Sequence, residues 1–192
     1  MSDIWLITGG GRSGKSVYAE TLASGVSNGA AGQSGVLYIA TGVATDEEME
    51  ERIIRHRAAR PQNWLTWERY RDFADIEHEY SPDDIASIIL DCVGNLLMGI
   101  LYEEVMDADN FESAEFERVE QMAISEIDAL CAYAKNHGKR LIFVTNEIGM
   151  GLIPDTRYSR YFRDALGRIN KYIAKAADKA VLMVVGIPVS LK

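Results

Sequence analysis

The stretch Asp3 to Thr21, DIWLITGGGRSGKSVYAET, decides how the rest of the chain is read. Ile4-Trp5-Leu6-Ile7-Thr8 is a short, nearly all-apolar run with glycines directly after it, which suits a buried strand ending in a tight turn. From Lys15 to Ala23 the apolar residues Val17, Ala19, Leu22 and Ala23 recur at helical spacing. Between strand and helix, Gly9-Gly10-Gly11-Arg12-Ser13-Gly14-Lys15-Ser16 satisfies G-x-x-x-x-G-K-[ST]. Glycines let backbone N–H groups curl around phosphate oxygens without side-chain obstruction. Lys15 then places a compact cation on the β- and γ-phosphates, and the Ser16 hydroxyl can coordinate Mg²⁺. The helix start adds its own preference for an anion. A glycine-rich turn matching by chance is the alternative, but strand before and helix after are the context this motif requires.

Working outward, Val36–Ala40, Ala86–Leu90, Arg140–Val144 and Ala180–Val185 read as further buried strands. Ser24 to Gly35, rich in Gly, Ser and Asn, reads as a flexible surface loop. Thr45 and Glu48 fit a capping box that starts a helix running to Pro61. Further helices are expected near Leu96–Val105, Ala114–Lys135 and Ser159–Ala177. Nearly all-apolar strands alternating with helices predict an α/β fold of the P-loop NTPase type: a mostly parallel sheet with helices on both faces. No repeat or linker divides the 192 residues, so a single domain spanning 1–192 is expected.

A net charge of −9 argues against broad binding to a nucleic-acid backbone, while leaving room for a local anion pocket. No apolar run approaches about 18 residues, so no membrane span is expected. The start lacks the pattern of a secretory signal. Cys92 and Cys131 lie far apart with no metal-binding spacing, which fits free thiols in a reducing cytoplasm.

Beyond the loop, Asp91 after Ile88-Ile89-Leu90 is the best carboxylate for a metal beside the phosphates, or else an ordinary strand-end aspartate. In ERIIRHRAARP, Arg52, His56 and Arg60 recur every four residues and share a helix face, with Arg55 and Arg57 flanking the imidazole. Guanidiniums favour a neutral, nucleophilic imidazole and can hold a triphosphate while it is attacked. The same pattern also describes a charge-rich surface helix, balanced by Glu47, Glu48, Glu50 and Glu51, with His56 a bystander. His78 and His137 sit in polar stretches without such company. Thr145-Asn146-Glu147 directly follow a strand and so arrive at the edge where an open parallel sheet binds ligands, unless they form a plain polar turn. Arg157, Arg160, Arg163 and Arg168 either hold an anionic substrate or pair with nearby carboxylates.

Taken together, TGGGRSGKS, LYIATG, RIIRHRAARP, VTNEIGMGLIP, RYFRDALGRIN and the ending VVGIPVSLK resemble the bifunctional adenosylcobinamide kinase/adenosylcobinamide-phosphate guanylyltransferase family of cobalamin biosynthesis. The resemblance runs in order from the first strand to the last residues. It implies phosphorylation of adenosylcobinamide with ATP or GTP. It further implies transfer of GMP from GTP to adenosylcobinamide phosphate, giving adenosylcobinamide-GDP and pyrophosphate. His56 matches the histidine that becomes guanylylated in that family. Nucleotide contacts carried over likewise fall on Gly9 to Ser16, Thr41-Gly42-Val43, Arg57-Ala58-Ala59-Arg60, Glu68 and Asp91, with Mg²⁺ at Ser16 and Asp91. A homotrimer is implied too. The segment after Asp91 is shorter than in many members, and Arg55 stands where members often carry a first histidine. Two other readings of the residues stay open here: a P-loop kinase of another small metabolite, and a nucleotide-binding regulatory protein.

Overall fold

The apolar run near the start forms strand β1 (Asp3–Gly9), and its alternation divides the interior in two. Ile4 and Leu6 join one buried cluster, Trp5 and Ile7 the other, because successive side chains of a strand point to opposite faces. In this computed structural model the described residues are 2–27, 35–43, 51, 57, 60–105, 107 and 110–192. Six further strands follow: β2 (Gly35–Ala40), β3 (Leu65–Glu68), β4 (Ile85–Asp91), β5 (Arg140–Val144), β6 (Lys179–Val184) and β7 (Ile187–Ser190). They form one sheet in the order β3-β2-β4-β5-β1-β6-β7. Every pairing is parallel except β6 with β7.

Helix α1 (Lys15–Ser27) covers one face, setting Ala19 and Ala23 against Ile7, Val36, Tyr38, Ile89, Ile142 and Val144. The opposite face packs on α2 (Val93–Glu104), α3 (Ser113–Asn136) and α4 (Arg157–Ala176), which contribute Leu96, Val119, Ile127, Leu166 and Ile169 among others. Strands covered on both sides can be apolar throughout, which is why β1, β2, β4 and β5 read so plainly. Local chemistry sets the helix starts. Glu112 and Glu115 form a capping box at α3, and the Thr156 hydroxyl accepts the Ser159 N–H at α4.

The expected strands and helices appear with two kinds of difference. Helix α1 runs on to Ser27, into the stretch read as a loop. The Ser24 hydroxyl bonds back onto its own helix, donating to the Glu20 carbonyl, and Ala23 just before it is fully buried. Strands β3 and β7 escape a sequence reading because each is a four-residue edge, half-exposed or exposed, and β7 contains Pro188. The helix expected from Thr45 lies mostly outside the described residues, and so do His56, Arg52, Arg55, Ala58 and Ala59.

One ion pair ties two neighbouring strands at their amino ends. Asp3 on β1 and Arg140 on β5 sit opposite each other, with Arg140 Nη2 donating to Asp3 Oδ2 at 2.8 Å. Burial pushes the Asp3 carboxyl up, but hydrogen bonds from Arg140 and the Trp5 indole outweigh it and hold it below its ordinary value. A carboxylate depressed in the folded state adds stability above its unfolded pKa and loses it as pH falls through the folded one. Arg140→Met is therefore expected to cost about 1 kcal/mol at neutral pH, discounted for partial exposure. In urea titrations the difference from wild type should shrink as the buffer is made acidic.

Candidate active site at the carboxyl edge of the sheet

Parallel strands end on a common edge, and the registers align those ends in a row. Glu68 pairs with Ala40, Ala40 with Asp91, Asp91 with Val144, and Val144 with Ile7. At about 4.8 Å per strand, Asp91 stands roughly 10 Å from β1, and Glu68 a similar distance on its other side. Gly9 begins the phosphate loop two residues beyond Ile7.

The loop is built as its sequence predicts. Gly9 has φ 151°, and a Cβ there would lie 2.5 Å from the Met183 carbonyl, so no side chain fits. A Cβ on Gly10 or Gly11 would meet nothing within 4 Å, leaving that side of the loop open. The Lys15 ammonium lies inside the loop and donates to the Gly10 carbonyl at 2.6 Å. Burial pulls the Lys15 pKa down, while the nearby Cys92 and Asp91 groups push it up. The Ser13 hydroxyl is buried with no partner among the described residues. A buried cation that burial disfavours and an unsatisfied hydroxyl are what a bound phosphate would satisfy.

Asp91 lies beside the loop, where Arg60 joins it together with two residues the sequence did not single out, Tyr38 and Glu20. The Tyr38 hydroxyl donates to Asp91 Oδ2 at 2.6 Å, leaving Oδ1 without a hydrogen bond among the described residues. Burial and the Asp91 carboxylate push the Tyr38 pKa up, so the phenol stays a neutral donor. The Arg60 guanidinium stacks on the Tyr38 ring at 3.8 Å, with its Nε and Nη1 buried and unpartnered among the described residues. Glu20 on α1 completes the group: burial raises its pKa, Asp91 adds to the rise and Arg60 opposes it. The one hint of Tyr38 in the sequence is its polar tip within the otherwise aliphatic run of β2.

The remaining expected contacts divide by role. Gly42, Val43 and Glu68 line one open pocket of about 340 Å³ at the end of β2 and β3. Arg57 Nη1 reaches Glu68 Oε1 at 3.4 Å, so Arg57 meets this pocket. Thr41 differs: it is buried, and its hydroxyl both donates to the Cys92 carbonyl and accepts the Cys92 N–H, each at 2.7 Å. It fixes the turn after Asp91 through its side chain. Thr145 is likewise buried and donates to Asn170, whose amide holds the Asn146 carbonyl. The Glu147 N–H donates to the Gly9 carbonyl at 3.0 Å, bracing the loop from β5.

The arginines of α4 take the structural option. Arg168 pairs with Glu120, Arg163 with Asp164, Arg157 with the Phe111 carbonyl, and Arg160 with the carbonyls of Pro154 and Asp155. A larger cavity of about 620 Å³ lies between α3 and α4, and no phosphate-loop residue lines it. Cys92 and Cys131 are both buried and free, with burial pushing each thiol up to about 11. Among the described residues no cluster of His, Cys, Asp or Glu could by itself hold a metal, and no helix is long and apolar enough to cross a membrane.

Comparison with known proteins places this geometry. A KaiC-like protein of Pyrococcus horikoshii matches over 94% of this chain and 70% of its own, with TM-score 0.50 and 11% identity, a likeness of fold alone. Much nearer are two proteins called bifunctional adenosylcobalamin biosynthesis protein CobU. The one from Escherichia coli is 38% identical over 97% of this chain and 98% of its own length. The one from Salmonella typhimurium is 39% identical over the same shares. Bifunctional adenosylcobalamin biosynthesis protein CobP of Pseudomonas aeruginosa is 34% identical over 97% and 96%. The family model described as cobinamide kinase / cobinamide phosphate guanyltransferase matches residues 5–191, and the chain belongs to that family.

Proposed function

We propose that this chain carries out both reactions of its family: it phosphorylates adenosylcobinamide with ATP or GTP, then transfers GMP from GTP to adenosylcobinamide phosphate through a guanylylated His56. The observation that carries the reading is the row of strand ends. It sets a complete phosphate loop, the Asp91–Tyr38–Arg60 group and the Glu68 pocket along one edge.

In the first reaction the acceptor hydroxyl attacks the γ-phosphorus and the nucleoside diphosphate leaves. Backbone N–H groups of Gly9 to Ser16 and the Lys15 ammonium hold the phosphate oxygens as charge shifts onto the leaving oxygen. Ser16 and Oδ1 of Asp91, which has no hydrogen bond among the described residues, are the groups that would hold Mg²⁺, which when bound neutralises phosphate charge. In the second reaction an imidazole nitrogen of His56 attacks the α-phosphorus of GTP. The α–β bridging bond breaks and pyrophosphate departs. The phosphate of adenosylcobinamide phosphate then attacks the same phosphorus, forming the diphosphate and freeing the imidazole. One hard displacement becomes two easier ones. Arg60 suits both steps, because its Nε and Nη1, buried and without a partner among the described residues, are donors free for phosphate oxygens beside the Tyr38 ring it stacks on. Thr41, Gly42, Val43, Arg57, Ala58, Ala59 and Glu68 complete the nucleotide contacts in this reading.

The proposal includes a homotrimer of single-domain chains working in the cytoplasm. Exposed Met150, Leu152 and Ile153 and the apolar edge strand β7 support assembly, and two buried thiols suit a reducing compartment. An assay with adenosylcobinamide, ATP and GTP, resolving products by chromatography, tests the function. Phosphate product should appear first and the GDP product should follow. Absence of both, with intact nucleotide binding, rejects this substrate and returns the chain to the class of kinases for other metabolites.

A further inference from the structure

The ending VVGIPVSLK is one of the stretches that carry the family resemblance, yet nothing in the proposed chemistry uses it. The structure shows where it goes. Strands β6 and β7 are joined by Val185 and Gly186, with φ of 47° and 85°, the mirror-image two-residue hairpin turn. Glycine accepts such a conformation, but a β-branched valine does so reluctantly, and this one is exposed. Something other than side-chain burial holds the turn.

That turn abuts the phosphate loop. The Gly186 N–H donates to the Ser13 carbonyl at 3.0 Å, and a Cβ on Gly14 would lie 3.4 Å from the Gly186 Cα. In a trans peptide the carbonyl oxygen of one residue and the N–H of the next point in opposite directions. Fixing the Ser13 carbonyl toward the hairpin therefore turns the Gly14 N–H away from the hairpin. Among the described residues no acceptor takes that N–H, whereas the Gly14 carbonyl accepts from Tyr18 to start α1. A loop peptide that flipped would turn an oxygen to the side its N–H now faces.

We propose that the Gly186 amide is a positioning group for nucleotide binding, holding the Ser13–Gly14 peptide so that its N–H faces the phosphate. The β6–β7 hairpin thereby acts on the loop's affinity without touching the nucleotide. This rests on the reading that the loop binds a nucleotide. The far end of the hairpin is fastened independently, since the Leu191 N–H donates to the Ala180 carbonyl at 2.8 Å. That bond provides a matched control.

The test replaces one backbone N–H by an ester oxygen, using glycolic acid in place of Gly186 or leucic acid in place of Leu191, and measures GTP binding calorimetrically. The Gly186 ester should bind GTP about five-fold more weakly, the equivalent of one neutral hydrogen bond. The Leu191 ester should bind as wild type does although it loses a hairpin bond of the same kind. Equal affinities in both esters, or equal weakening in both, overturn the proposal. Should the Gly186 ester not fold, amide exchange in wild type decides: GDP must slow Gly186 exchange more than Leu191 exchange, and uniform slowing refutes the coupling. Wild type that binds no GTP refutes the nucleotide reading itself.

Discussion

His56→Ala, incubated with GTP radiolabelled at the α-phosphate and then denatured, is expected to carry no acid-labile, base-stable label, while wild type does. Its guanylyl transfer should fall on the order of 10⁴-fold or more, the scale of removing the nucleophile from a covalent mechanism. Kinase turnover in the same protein should remain within a few-fold of wild type, because attack on the γ-phosphorus needs no bond to imidazole. The phosphorylated corrinoid should therefore accumulate. This split is what separates the bifunctional reading from a simple kinase with a bystander histidine, in which the variant would leave every product unchanged. Loss of both reactions in a folded variant would instead mean that His56 shapes the shared nucleotide site, and the division of labour between the two reactions would be overturned.

The second large effect concerns Lys15→Met. Its side chain preserves the buried stem and removes only the ammonium. Losing a charge-assisted contact to phosphate should weaken GTP binding about 10- to 100-fold. Kinase turnover should drop on the order of 10²- to 10³-fold, as when one donor to the transition state is removed. Both reactions suffer because both draw on the same loop. Stability should move the other way or not at all. In the unliganded protein burial disfavours the Lys15 charge more than the nearby Cys92 and Asp91 groups favour it. A variant that melts as wild type does yet no longer binds nucleotide would meet the expectation. One that binds GTP normally would contradict the loop assignment.

How far the site could be read in advance follows from the kind of chemistry involved. The phosphate loop is local: its strand, glycines, lysine and helix start lie within one short stretch, and each residue type has its own reason to be there. Asp91 was legible as the polar end of an apolar strand. Tyr38 and Glu20 were not, since each is ordinary in its own element and matters only because β2, β4 and α1 converge. Thr41, a nucleotide contact the resemblance implies, and Thr145, read as reaching the ligand edge or forming a polar turn, are buried with their hydroxyls bound to Cys92 and Asn170. A hydroxyl at a strand end serves a ligand or a neighbouring turn equally well, and only packing chooses.

By itself the sequence determined the α/β alternation, the phosphate loop and the family, because strand burial on two faces and backbone cradling of phosphate each demand a distinctive run of residue types. Tertiary structure decided the order of strands, the edge strands β3 and β7, the Tyr38–Arg60 stack beside Asp91 and the seat of the final hairpin against Ser13. These depend on contacts between residues far apart in the chain, whose pairing no local pattern of side chains encodes.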